Sequence, residues 1–281
     1  MNKIDELIKQ VKLADAIVVG GGSGMSNAAG MNFWYEASPL FLKYMQYYHD
    51  KYHFAGLFNG YYTKFDSKEE RWAYLILSLH LIFTEPAQKP TYEYLRKLIG
   101  DKPVHYITTN QDGLFTRYFG EKIVSEIQGS NFYFQSSNPT TDKHLYPAKP
   151  IVKDLIGKIK DHKLDKKYFP TSKVDGSPLI PWVRGPEFLE DKRYYDEYQK
   201  INNFIGKHKD KRILFLEMGV GRMTPMFIQE PFWEMTKYFD NSFYININPK
   251  DAITNPLIED KSLLIKEDIN EVLKEASSKI N

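Results

Sequence analysis

The sequence contains no cysteine among its 281 residues. That absence excludes disulfide bonds, thiolate catalysis and any zinc or iron–sulfur site built on thiolates. The seven histidines are scattered. His49 and His53 stand at the i, i+4 spacing of a zinc-binding helix, but no glutamate adjoins His49, so no metal site is predicted. An excess of one charge is also missing. Lys and Arg number 38 against 36 Asp and Glu, a net charge of +2, which points to neither nucleic acid nor an anionic membrane as partner. No apolar run approaches the roughly 20 residues of a transmembrane helix. The opening MNKIDELIKQVKLADAIVVGGG lacks the apolar core of a signal peptide. A cytoplasmic protein is expected.

The composition itself is ordinary, 42% hydrophobic and 26% charged, enough for a substantial core. Ile4, Leu7, Ile8 and Val11 recur at helical spacing, so residues 3–14 are predicted to form an amphipathic helix. A short strand, Ala16–Val19, leads into a glycine turn from Gly20 to Gly24, after which Ser26 or Asn27 could cap a new helix. Further apolar strands recur in VHYITTN, KIVSEIQG, RILFLEMGVG, SFYININ and SLLIKED. Helical patterns lie between several of them, including TYEYLRKLIG and the run from Glu187 to Lys207. This alternation predicts an α/β fold, a Rossmann-like parallel sheet with helices on both faces. Residues 36–90 are aromatic-rich and helical in pattern, and residues 131–180 are polar and weakly periodic. Both read as insertions that form a smaller domain. The large domain then comprises residues 1–35, 91–130 and 181–281.

Five stretches carry chemistry. The turn around Gly22-Ser23-Gly24 can offer backbone N–H groups and a helix N-terminus to a diphosphate, although it lacks a strict G-x-G-x-x-G. ITTNQDGL ends a strand at the carboxyl edge of the sheet, where open α/β sheets bind ligands. Its Asn110 and Asp112 can bond ribose hydroxyls and a carboxamide, or can simply form an Asx turn. Gln128-Gly129-Ser130 delivers one polar side chain to a turn. Gly219 and Gly221 mark another strand end, and Asn246 and Asn248 share one face of a third.

Order and spacing together are far more specific than any single piece. GSGMSNAAGM, then TTNQDGL, EIQGS, GVG and NIN, resembles the sirtuin family along nearly the whole chain. The resemblance implies NAD as cosubstrate between a Rossmann-like domain and a small inserted one. It implies cofactor contacts at Gly22, Ser23, Gly24, Met25 and Ser26 in the first loop, and at Asn32 and Trp34 just beyond it. Thr109, Asn110, Gln111 and Asp112 follow, with Asn110 on the ribose and Asp112 on the nicotinamide carboxamide. Gln128, Gly219, Val220, Gly221, Asn246, Asn248, Asp268 and Ile269 complete the implied set.

Four departures separate this chain from the usual sirtuin pattern. Gln128 stands where sirtuins carry a catalytic histidine, and an amide cannot act as a general base. The zinc cysteines are absent. The element after the first loop reads GMNFWY, without the usual arginine, and the acyl-lysine floor reads IPWVRGPE, with Arg184 bringing a fixed charge. This set is similar to the macrodomain-linked, class M sirtuins. That branch implies protein ADP-ribosyl transfer, with Asn110, Asp112, Gln128 and Arg184 as catalytic residues. It also implies a lipoyl-carrier acceptor resembling glycine cleavage protein H, a companion macrodomain hydrolase and a role in oxidative stress. A slow lysine deacylase, an NAD glycohydrolase and a non-catalytic NAD- or ADP-ribose-sensing module are the alternatives.

Overall fold

The computed structural model describes residues 2–280. In chain order the elements are α1 (Lys3–Leu13), β1 (Ala16–Gly21), α2 (Ser23–Ala28), α3 (Pro39–Tyr52), α4 (Leu57–Tyr62), α5 (Lys68–Thr84), α6 (Thr91–Ile99), β2 (Val104–Thr108), α7 (Leu114–Phe119) and β3 (Val124–Glu126). They continue with β4 (Gly129–Ser136), β5 (Leu145–Pro147), α8 (Ala148–Leu155), β6 (Leu179–Val183), α9 (Lys192–His208), β7 (Ile213–Met218), α10 (Gln229–Tyr238), β8 (Ser242–Ile247), β9 (Ser262–Ile265) and α11 (Ile269–Lys279). The chain divides into two compact units.

The first unit holds the residues up to Gly30, Ala87–Gln128, and those from Lys192 on. Its sheet has six strands in the order β3-β2-β1-β7-β8-β9, every pair parallel. The chain starts at the centre with β1, builds outward through β2 and β3, then returns to β1's other side with β7. The order therefore reverses between β1 and β7, and the strand ends there open a crevice of the kind that holds ligands. Ile17, Val18, Val19, Phe215, Leu216 and Ile245 are buried because strands covered on both faces need near-continuous apolar runs. The predicted first helix is α1, with Ile4, Leu7, Ile8 and Val11 inward and Asn2 capping its first turn through the Ile4 N–H.

The second unit holds Met31–Pro86 and Gly129–Asp191. Helices α3, α4 and α5 lie within residues 36–90. Ser38 caps α3 and Ser67 caps α5, each accepting a backbone N–H at 3.2 Å. Glu70 is fully buried inside this aromatic layer, where Tyr47, Tyr52 and Lys51 all donate to its carboxylate. Residues 131–180 are more ordered than their weak periodicity implied, with a three-stranded antiparallel sheet in the order β5-β4-β6. Asp142 organises the rest of that segment. Its buried carboxylate accepts from the backbone N–H and Nδ1 of His144, from Tyr146 and from Ser172.

Several boundaries differ from the sequence reading. The units divide near residues 30, 86, 128 and 191, not at 35, 90, 130 and 180. The largest shift arises because β6 hydrogen-bonds to β4, which carries residues 181–191 into the second unit. Gly20 and Gly21 continue β1 rather than begin a turn, in register with Glu217 and Met218 of β7. Helix α2 begins at Ser23, with Gly22 before it, so Ser26 lies inside the helix and not at its cap.

Candidate active site

The carboxyl ends of β1, β2, β3, β7 and β8 bring most of the predicted residues to one edge of the first unit's sheet. Asn110 lies two residues beyond β2 and is almost fully buried. Its amide is locked. Nδ2 donates at 2.9 Å both to the Gly22 carbonyl and to Ser26 Oγ. Ser26 in turn donates its O–H to Asp112 Oδ2 at 2.6 Å, a charge-assisted bond, and Asp112 Oδ1 accepts the Leu114 N–H at 3.0 Å. Both N–H donors of Asn110 are therefore engaged, and the amide is fixed with Oδ1 as its remaining acceptor. Asn110 Oδ1 can accept a hydrogen bond from a donor.

This network changes two of the expected roles. Ser26 supports Asn110 from beneath, since it is 1% exposed and its single proton goes to Asp112. Asp112 both braces Ser26 and closes the Asx turn onto α7, as the turn reading of NQDG expects.

Gln128 follows β3, on the neighbouring strand end. Its backbone carbonyl accepts from Gln111 Nε2 at 3.2 Å, which ties the β2 loop to the β3 loop. Its own Nε2 is buried and has no hydrogen-bond partner among the described residues. A buried donor left unmatched is costly in a folded chain, and it is the kind of group a ligand completes. Thr109, between these elements, ties its backbone N–H to the Gly21 carbonyl at 3.2 Å.

The glycine turns pack directly on one another. Gly219 has φ +60°, and a Cβ on it would lie 2.6 Å from the Gly24 Cα, so neither position tolerates a side chain. Several expected diphosphate donors are engaged here: Gly22 N–H bonds the Met218 carbonyl and Gly24 N–H the Gly219 carbonyl. Met25 N–H turns back to the Gly22 carbonyl, and the Met25 side chain is core. Ser23 and Gly24 are partly exposed at this turn, Val220 is buried beside it and Gly221 is open to solvent.

On β8 the expectation changes again. Asn246 is fully buried, and its Nδ2 donates to Glu217 Oε1 at 3.2 Å and to the Ile253 carbonyl at 3.2 Å. It serves an interior network rather than an open ribose edge. Asn248 bonds the Val220 carbonyl and caps the turn at Lys250 and Asp251. Asp268 caps α11 by accepting the Glu271 N–H, and the Ile269 side chain is core.

Glu217 is a residue the sequence reading missed, although a carboxylate inside ILFLEMG was a visible signal. Gln229, Tyr244 and Asn246 all donate to it. Burial raises its carboxyl to about 7, against the lowering effect of the Tyr244 and Gln229 bonds.

Asn32, Trp34 and Arg184 belong to the second unit. Asn32 and Trp34 are half-buried beside the Phe33 ring, with Trp34 6.3 Å from Tyr61. Arg184 follows β6. Its guanidinium pairs with Glu190 at 3.0 Å and lies 4.9 Å over the Phe188 ring. The fixed charge expected at Arg184 is thus paired with a carboxylate. Among the described residues, no group of three or more His, Asp or Glu could hold a metal ion, and no helix is long and apolar enough to cross a membrane.

No family model matches the chain. It is 26% identical to a protein ADP-ribosyltransferase of Staphylococcus aureus, over 96% of this chain and 88% of that one. It is 27% identical to a probable bifunctional ADP-ribose hydrolase/ADP-ribosyltransferase of Fusarium oxysporum, over 78% of this chain but only 37% of that larger protein. Among solved structures, a Sir2 enzyme with a p53 peptide and NAD+ superposes with a TM-score of 0.59 at 18% identity, covering 99% of this chain and 98% of the other. A Sir2 homologue with ADP-ribose gives 0.64 at 15% identity, covering 100% and 96%. The chain is built on the Sir2 fold of the sirtuins, and its similarity to a protein ADP-ribosyltransferase runs along nearly its whole length.

Proposed function

We propose that this protein is an NAD-dependent mono-ADP-ribosyltransferase. Its proposed acceptor is a lipoylated carrier protein resembling glycine cleavage protein H, and a companion macrodomain hydrolase removes the mark. The observation that carries the reading is Gln128, a buried amide with an unmatched Nε2 at the strand end next to Asn110. NAD supplies a ribosyl carbon already joined to nicotinamide, so transfer requires no redox step.

The residues present suit such a ligand. Asn110 Oδ1 accepts from a ribose hydroxyl, held in place by Gly22, Ser26 and Asp112. Gln128 Nε2 donates to an oxygen, and Gln111 holds the backbone that carries it. Neither amide takes up a proton near neutral pH. Deacylation by the usual sirtuin route needs a base at Gln128's position, and loss of a positioned base costs about 10² to 10⁴ in rate. Transfer that depends on orientation and hydrogen bonding is retained. The two named relatives, each described as an ADP-ribosyltransferase, support the same reading. The test is mass spectrometry of lipoylated and unlipoylated carrier after incubation with the protein and NAD. An ADP-ribose adduct on the lipoylated form is expected. An unmodified carrier beside accumulating free ADP-ribose would move the assignment to a glycohydrolase.

A further inference from the structure

We propose that Asn131 is a substrate-recognition residue whose buried amide N–H groups donate to a carbonyl or carboxylate oxygen. It lies in β4, which pairs with β6 in broken register. Ser130 opposes Trp182 and Phe134 opposes Pro181, so residues 131–133 have no opposite number on β6. Such a bulge turns a side chain out of the regular alternation of a strand and recurs beside active sites. Gly129, at the start of the strand, has φ +78°, and a Cβ there would meet the Trp182 carbonyl oxygen at 2.2 Å. The backbone entering the bulge is therefore fixed.

Asn131 itself is 0% exposed. Tyr61 donates its hydroxyl to Oδ1 at 3.4 Å. Burial pushes the Tyr61 phenol up from its ordinary value, so it stays protonated and remains the donor. With Oδ1 facing Tyr61, Nδ2 presents its two hydrogens elsewhere, and it has no partner among the described residues. A group with two N–H donors and no acceptor calls for a ligand oxygen. Asn131 follows Gln128 by only three residues, so the backbone allows their Cα atoms at most about 11 Å of separation. Two sources of that oxygen fit the chemistry: the carboxamide of nicotinamide, or a carbonyl or carboxylate on the protein acceptor.

The inference rests on the NAD reading above, and calorimetry separates the two. The probes are NAD and ADP-ribose, which differ in the nicotinamide. The variants are Asn131→Asp, which keeps the shape and removes both donors, and Asn131→Ala, which is read if the buried carboxylate prevents folding. If the oxygen is the carboxamide's, NAD binding weakens about tenfold, equivalent to about 1.4 kcal/mol, while ADP-ribose binding is unchanged. If it belongs to the acceptor, both affinities hold and the KM for lipoylated carrier rises by a similar factor. Either result supports the role. A folded variant that keeps both affinities and the carrier KM would overturn it, and a shifted Tm alone would reduce Asn131 to a structural partner of Tyr61. Wild-type protein that binds neither probe would end the NAD reading and this inference with it.

Discussion

Ser26→Ala is the most informative single perturbation of the site, because Ser26 touches no part of the proposed chemistry directly. Its hydroxyl joins Asn110 to Asp112 through bonds of 2.9 Å and 2.6 Å. Removing it deletes one neutral and one charge-assisted hydrogen bond in an interior position. At about 1 kcal/mol and about 1.5 to 3 kcal/mol respectively, the loss should be about 2 to 4 kcal/mol. For a chain of this size, each kcal/mol lowers Tm by about 2 to 4 °C, so a fall on the order of 10 °C is expected in a melting curve. The Asn110 amide then keeps only the Gly22 carbonyl as an anchor and can rotate. A displacement of about 1 Å in a positioning group can cost about 100-fold in rate. Transfer to carrier protein should fall by that order at saturating NAD, assayed well below the new Tm. Wild-type activity in the variant would show that Asn110 needs no support, and the proposed locking of its amide would be wrong.

Other expectations follow from the same interior. Glu217 has a folded pKa of about 7 against 4.5, so its penalty is absent below 4.5, grows as pH rises and is complete above 7. Urea midpoints of wild type relative to Glu217→Gln should therefore fall from pH 5 to pH 8, by an amount on the order of 3 kcal/mol in stability, and parallel profiles would remove the assignment. Burial favours raising Asp142, but bonds from Tyr146, Ser172 and His144 hold it well below the ordinary carboxylate range. That stability is present above pH 3.8 and is lost as pH falls further toward the folded pKa. Asp142→Ala should cost about 2 to 4 kcal/mol and open residues 138–178 to limited proteolysis at neutral pH; an unchanged digestion pattern would mean that the sheet alone holds this segment. Gln128→His should keep NAD binding by calorimetry and gain little deacetylation of an acetyl-lysine peptide. Robust deacetylation would show that the histidine alone separates the two chemistries.

The strands of the parallel sheet were legible because each is a short apolar run ending at glycine or a polar residue, as in ILFLEMG and VHYITTN. The candidate edge was legible for a related reason: Asn110, Asp112 and Gln128 directly follow such runs. The sheet of the second unit was not. In β4, residues 129–136 are mostly buried on both faces yet contain Ser130, Asn131, Gln135 and Ser136, so neither alternation nor an apolar run marks the strand. Gln135 finds its partners across the fold, where its Oε1 accepts the Leu189 N–H and its Nε2 donates to the Glu187 carbonyl. Such partners, distant in sequence, leave no local signal. The misplaced boundary at 181 has the same origin, since β6 finds its partner in β4. Ser26 reads as a helix cap in isolation. Only its contact with Asp112, 86 residues away, turns it into a support for the site.

The central claim is that a glutamine-based Sir2 site transfers ADP-ribose to protein instead of removing acyl groups. Nicotinamide release measured beside product identity tests it most directly. Wild-type protein is incubated with NAD and either lipoylated carrier or an acetyl-lysine peptide, and nicotinamide, protein-bound ADP-ribose, free ADP-ribose and deacetylated peptide are quantified together. Release should depend on the carrier and match protein-bound ADP-ribose one for one, with the peptide left intact. Release that instead tracks deacetylated peptide or free ADP-ribose would contradict the account.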